Sequence, residues 1–201
     1  MTETQAFDSG AAVYLTGGEL TWAYREYNLL NQLIRDIKDD KVFTYQYRPD
    51  GLRHSKTEVK TDGTEQTTIH VWDRANIVVD VNANCRYEGD KVYIRGLNLI
   101  SLHTINFNVH DIDGRVFYLH NFRGDVVKLI NQNGDTVKTY LYDAFGNDRS
   151  EDGIDIDNPF RYCGEYFDEN SGNYYLRFRF YQPRTGRFTQ EDPIRDAMSL
   201  S

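Results

Sequence analysis

Tyr140-Leu141-Tyr142-Asp143-Ala144-Phe145-Gly146-Asn147 reads as the end of a strand that runs straight into a tight turn. Two aromatics one residue apart share one side of a pleated strand, and the Asp and Gly that follow are turn formers. The same order recurs elsewhere: an aromatic, a spacer, an aromatic, a polar residue, then a turn ending in Gly or Asn. It appears as Tyr45-Gln46-Tyr47-Arg48-Pro49-Asp50-Gly51-Leu52-Arg53, again over Phe107 to Arg115, and more weakly over Trp22 to Leu30. Internal similarity of this kind marks units that bury their apolar surface against neighbouring copies.

Between these copies the chain alternates short apolar runs with turn signals. Strands are expected over 42–47, 67–73, 92–95, 106–111, 116–120, 126–130 and 136–143. They are separated by Pro49-Asp50-Gly51, Asp62-Gly63, Gly89-Asp90, Asp113-Gly114 and Arg123-Gly124. Asn133-Gly134 is the strongest hairpin signal, since both residues accept the positive φ of a type I′ turn. A composition of 15 Tyr and 11 Phe against 4 Pro and 2 Met suits pleated, half-buried surfaces. Over Glu26 to Lys38, the residues Leu29, Leu30, Leu33, Ile34 and Ile37 have roughly helical spacing. The repeat copy over 22–30 draws that stretch back towards strand–turn–strand.

The last third is denser in signal. Asn158-Pro159-Phe160-Arg161-Tyr162-Cys163-Gly164-Glu165-Tyr166-Phe167-Asp168 leads through Ser171-Gly172 into Asn173 to Tyr181. Pro183-Arg184-Thr185-Gly186-Arg187-Phe188-Thr189-Gln190-Glu191-Asp192-Pro193 closes it. Read as one strand, 174–181 places Tyr174, Leu176, Phe178 and Phe180 on one face and Tyr175, Arg177, Arg179 and Tyr181 on the other. Ser171-Gly172 and Thr185-Gly186 turn the chain at either end, after which Phe188 re-enters the sheet.

The repeat resembles the YD repeat, Tyr-x-Tyr-Asp-x-x-Gly-Arg, and the run from Asn158 to Pro193 is similar to the Rhs-associated core motif along nearly its whole length. The resemblance implies an all-β fold of successive antiparallel hairpins, forming a curved sheet that is part of a β-shell. It implies a YD-repeat strip over 1–148, the core motif over 149–196 and a short tail over 197–201. It also implies a structural role for the motif positions Tyr140, Tyr142, Asp143, Gly146, Gly164, Tyr174, Tyr175, Arg177, Tyr181, Gly186, Arg187, Phe188, Asp192 and Pro193. In such proteins the shell encloses or presents a C-terminal toxin. The expected partners are neighbouring strips or a second copy of the chain, and a toxin domain. Family members continue beyond the Asp-Pro-Ile motif to a self-cleavage region. Here Ala197 to Ser201 follow, so Asp192 and Asp196 are not carried over as catalytic, and the chain is read as a fragment, a truncated copy or a stand-alone remnant. A bacterial, secreted or surface location is expected as part of a longer protein, and a cytoplasmic one for a stand-alone chain.

Composition narrows the alternatives. A net charge of -8 argues against a nucleic-acid partner, whose phosphates select for Lys and Arg. No membrane span and no N-terminal signal peptide is legible. No enzyme motif or cofactor site emerges, because unpaired carboxylates among 31 acidic residues carry no information. His54, His70, His103, His110 and His120 lack ligand spacing, although His103 and His110 could meet across strands. Asp111-x-Asp113-Gly114 and Asp152 to Asp157 read as turn and surface rather than calcium loops. Cys85 and Cys163 read as free thiols more readily than as a disulfide. The rival functional class is a glycan-binding or adhesion module that uses exposed aromatics such as Trp22 and Trp72. A lone sheet with one apolar face is also expected to dimerise or aggregate.

Overall fold

A computed structural model describes residues 11–16, 19–38, 41–85, 89–105, 114–150, 156–169, 171–190 and 192. Twelve strands follow one another in sequence order as a single antiparallel sheet. They are β1 (Ala11–Thr16), β2 (Glu19–Tyr27), β3 (Leu33–Lys38), β4 (Lys41–Tyr47), β5 (Arg53–Val59) and β6 (Glu65–Asp73). They continue as β7 (Asn76–Asn82), β8 (Lys91–Arg95), β9 (Leu99–Thr104), β10 (Arg115–His120), β11 (Val126–Ile130) and β12 (Thr136–Thr139). A second antiparallel sheet holds β13 (Tyr166–Asp168), β14 (Asn173–Tyr175), β15 (Phe180–Gln182) and β16 (Arg187–Phe188). Among the described residues the only helical element is a 3-10 turn at Tyr162–Gly164. The stretch with helical leucine spacing is thus β2, a turn and β3.

The strip is built on one turn used six times among the described residues. At Asn28–Gln32, Arg48–Leu52, Lys60–Thr64, Asn121–Asp125, Asn131–Asp135 and Asp143–Asn147, the first N–H donates to the fifth carbonyl. The fourth N–H donates back to the first carbonyl. The fourth residue always has positive φ: Asn31, Gly51, Gly63, Gly124, Gly134 and Gly146. This is a type I turn closed by a left-handed residue, whose extra residue bulges the strand. In four copies the first side chain fixes it as well. Oδ1 of Asn28, Asn121, Asn131 and Asp143 accepts from the N–H groups two and four residues on.

That device corrects the reading of Asn133-Gly134. Only Gly134 has positive φ, because Asn131 captures the N–H groups of Asn133 and Asp135 and sets a three-residue loop instead of a two-residue type I′ turn. Two further expectations change. The strand from Thr136 ends at Thr139; beyond it Tyr142 forms one isolated bridge with Asp148. The run 174–181 is a hairpin and not a single strand. Arg177 takes φ of 65°, Tyr174 pairs with Tyr181, and Tyr175 pairs with Phe180. Phe178, placed with the buried face by alternation, sits at the hairpin tip and is exposed. The expected strand and repeat copy over 106–113 lie outside the described residues.

The small sheet covers one face of the strip. Leu33, Phe43, Tyr45, Ile77, Tyr93, Leu102, Tyr118 and Leu129 from the strip form one buried core with Phe160, Tyr166, Tyr175 and Phe180 from the last third. Fully burying side chains of this size contributes roughly 1.5–3 kcal/mol each. The apolar face expected to drive self-association is therefore occupied by the chain's own C-terminal third.

Candidate functional site

Pleating dictates what the strip presents to the small sheet. Arg53 opens β5, directly after the repeat turn at Arg48–Leu52; His70 lies in β6 and Asp80 opposite it in β7. All three point to the covered face and are buried. Asp168 ends β13, and its carboxylate meets the Arg53 guanidinium at 2.5 and 3.2 Å. Lys56 Nζ adds a third contact to Asp168 at 3.1 Å. Arg53 Nε donates to His70 Nε2 at 3.0 Å, and His70 Nδ1 lies 2.6 Å from Asp80. Tyr93 and Tyr166 donate their hydroxyls to the other Asp80 oxygen at 2.7 and 2.9 Å.

The donors settle the protonation states. A guanidinium has no acceptor, so His70 Nε2 must carry a lone pair and Nδ1 the hydrogen, which it gives to Asp80. His70 is thus neutral, and two cations balance two carboxylates. Burial lowers the His70 pKa; Asp80 pulls it up and Arg53 pushes it down, and the net shift is downward. Burial works to raise the Asp168 pKa, but Arg53 and Lys56 outweigh it and hold it down to about 2. The Arg53 guanidinium lies over the Tyr175 ring at 4.3 Å, and its backbone N–H donates to the Tyr175 hydroxyl at 2.8 Å. An Asp–His pair can serve general base catalysis, but here the free imidazole nitrogen is occupied by Arg53 and sealed from solvent.

The motif residues form a second seam, around the turn quoted at the outset. Tyr162, Tyr181 and Tyr174 donate their hydroxyls to three consecutive carbonyls of that turn: Ala144 (3.2 Å), Phe145 (2.9 Å) and Gly146 (3.0 Å). Asn147 Nδ2 donates to the Pro183 carbonyl. A Cβ on Gly146 would lie 2.6 Å from Tyr162, and one on Gly186 would lie 2.8 Å from Phe145, so both glycines are needed for close approach. Gly164 has positive φ and its 3-10 turn abuts the Gly124 carbonyl. Tyr140 stacks on Tyr142, whose hydroxyl donates to the Val126 carbonyl. Arg177 pairs with Glu165 and donates to the Ala75 carbonyl. Phe188 lies under Arg179, which pairs with Asp192 at 2.9 Å. Arg187 pairs with Gln182 across β15 and β16. Pro193 lies outside the described residues.

Beside the ionic cluster opens a polar cleft of about 500 Å³, lined by Lys56, Glu58, Gln66, Thr68, Asn82, Lys91, Arg161 and Glu169 among others. Its cations are engaged: Lys56 with Asp168, Lys91 with Asp157, and Arg161 with Glu169. Among the described residues no group of three or more His, Cys, Asp or Glu is placed to hold a metal. Cys85 and Cys163 form no disulfide. His110, Asp111, Asp113 and 152–155 lie outside the described residues. Trp72 is not an exposed platform: its indole donates to the Arg53 carbonyl at 2.8 Å and its ring meets Tyr175 edge-on. The side chain of Trp22 is not among those described.

Several motif positions named from sequence lie around the second seam, although the sequence does not show that they meet. Arg53 closes the 45–53 repeat copy and Asp168 closes the 158–168 run, but neither is singled out in sequence as a buried charge, Asp80 lies in no motif, and His70 is considered only as a metal ligand. The available signal was alternation itself, which puts Arg53, His70 and Asp80 on the same face as the core aromatics, where charge requires a partner.

No family model matches the chain. It is 30% identical over 178 residues to the tRNA3(Ser)-specific nuclease WapA of Bacillus spizizenii, a match covering 88% of this chain and 7% of that protein. It is 50% identical over 38 residues to the double-stranded DNA deaminase toxin A of Burkholderia cenocepacia, covering 19% of this chain and 3% of the toxin. In solved structures, the crystal structure of TcdB2-TccC3 superposes with a TM-score of 0.67 at 20% identity, over 85% of this chain and 9% of that one. The chain spans under a tenth of the length of each of these proteins. Its fold is that of a β segment within TcdB2-TccC3, and its relatives by sequence are much longer bacterial proteins named as a nuclease and a toxin.

Proposed function

We propose that this chain is a structural stretch of an Rhs-type, YD-repeat shell, which encloses or presents a toxin domain and does not itself catalyse. The observation that carries this reading is the set of three tyrosine hydroxyls on the consecutive carbonyls of Ala144, Phe145 and Gly146. The repeat and the core motif, recognised separately in sequence, are two halves of one joint. Their polar side chains are spent on each other rather than on a substrate. On this reading 1–148 is the strip, 149–196 the core motif that clamps it, and 197–201 a tail. The motif residues are scaffold, the partners are adjoining strips and the toxin domain, and the location is that of a secreted or surface bacterial protein.

The test has two readouts. The purified chain, incubated with tRNA and with duplex DNA, is expected to give no cleavage and no deamination. Turnover abolished by a single substitution in the polar cleft would overturn the reading. Electron microscopy of the longer polypeptide carrying this segment is expected to place it in the wall of a hollow shell; a position outside any such wall would also overturn it.

A further inference from the structure

Where the small sheet meets β3 and β4, several buried polar atoms have no hydrogen-bond partner among the described residues. They are both carboxylate oxygens of Asp36, the Tyr45 hydroxyl, both amide ends of Asn173 and the Arg25 Nε. Asp36, Tyr45 and Asn173 are each at least 97% buried by relative exposures of 1%, 3% and 0%. A buried amide or hydroxyl left without a partner costs roughly 1–3 kcal/mol, so several together call for an occupant.

Register places Asp36 and Tyr45 on one face of neighbouring strands. Asp36 pairs with Phe43, and Tyr45 lies two residues further along the same face of β4. Asn173 pairs with Asp168 across β13 and β14. Asp168 acts electrostatically on both Asp36 and Tyr45. The Tyr45 ring meets Phe180 at 5.6 Å, and a Cβ on Gly172 would lie 3.9 Å from Lys38 Nζ.

The chemistry of the set selects the ligand. A metal ion needs acceptors alone and an anion needs donors alone. Here the Asp36 oxygens and Asn173 Oδ1 accept, while Asn173 Nδ2 and Arg25 Nε donate, and the Tyr45 hydroxyl does either. Arg25 Nε lies 3.6 Å from Asp36, so the carboxylate already has a counter-charge. We infer that Asp36, Tyr45 and Asn173 form a binding site for ordered internal water, which bridges β3 and β4 to β14. Water both donates and accepts, and a buried molecule of this kind commonly makes about three hydrogen bonds. The site is a third attachment between the sheets, beside the ionic cluster and the tyrosine–carbonyl joint.

Tyr45→Phe decides the matter in solution. If water holds the hydroxyl, removing it strands that water and lowers the thermal midpoint by several degrees. If the hydroxyl has no partner, Phe is the better residue, and an unchanged or raised midpoint overturns the proposal. Thermal midpoints in sodium, potassium, magnesium and calcium chloride at matched ionic strength are expected to coincide. A shift specific to one cation would replace water with a metal and equally overturn it. A high-resolution crystal structure of the full chain should show density bonded to Asp36 and Asn173. Direct bonding of those two side chains, with no density between them, is the third result that would refute it.

Discussion

The two described seams between strip and small sheet solve one problem with opposite chemistry. Around Arg53 the contact is ionic: two cations, two carboxylates and a neutral imidazole, sealed in a tyrosine shell. Around Gly146 it is neutral, with tyrosine hydroxyls on main-chain carbonyls and rings on glycines. A buried ion pair adds little net stability over an apolar pair of the same shape, yet its breakage is costly because one charge is stranded. Neutral hydroxyl bonds are each worth about 0.5–1.5 kcal/mol and fail one at a time. The ionic seam is therefore expected to penalise any docking register that separates its charges, whereas the neutral seam contributes stability in small increments.

The sharpest way to break the comparison is to strand a charge. Asp168→Ala leaves Arg53 buried without its carboxylate and is expected to cost about 3–5 kcal/mol in urea unfolding. Arg53→Met combined with Asp168→Leu should lose less than the sum of the single changes, since the fully buried guanidinium and its carboxylate leave together and only the partly exposed Lys56 loses a partner. Additive losses would show that the two side chains act independently. In the neutral seam, Gly146→Ala meets both positive φ and Tyr162, and should cost about 2–3 kcal/mol. Gly134→Ala has the same φ but nothing within 4 Å, and about 1 kcal/mol is expected. Equal losses would remove close approach as the reason for Gly146.

Acid should separate the seams next. His70 has a lowered folded pKa, so the unfolded chain takes up its proton first, near pH 6.5, and stability falls as pH drops below that value. The slope is at most about 1.4 kcal/mol per pH unit, reaching up to about 2 kcal/mol by pH 5. Asp168, held at about 2, adds its own loss only below about pH 4. His70→Gln, which does not titrate, should flatten the first limb in denaturation measured from pH 7.5 to 5; an unchanged limb would assign it elsewhere. Tyr174→Phe, as small an effect as Gly134→Ala, should cost about 1 kcal/mol with no change in pH dependence.

Part of this architecture is legible in the sequence. Aromatic alternation and Gly- or Asn-closed turns locate β4, β6, β8, β10, β11 and the start of β12 but do not single out β5, β7 or β9, and the turn at 140–147 with the run from Asn158 contains the residues of the neutral seam. What escaped detection did so for definable reasons. The 174–181 hairpin depends on Arg177 adopting a left-handed conformation, which no alternation pattern signals. The turn at Asn131 is decided by a side-chain cap that begins two residues before the Asn-Gly pair. The ionic seam joins Arg53 to Asp168 across 115 positions of sequence, where neither periodicity nor local propensity reaches.

The unbroken sequence order of β1 to β12 has a kinetic consequence. Every strand of the strip finds its partners in its immediate chain neighbours, so loop closure is short and the hairpins that carry the five-residue turn can nucleate there. The strip can thus be assembled progressively as the polypeptide is synthesised, much as a repeat array propagates from any nucleus. The closure onto Arg53 is different in kind, because it cannot begin until Asp168 has been made. The last third therefore docks late, and its docking joins a locally folded ribbon into one unit.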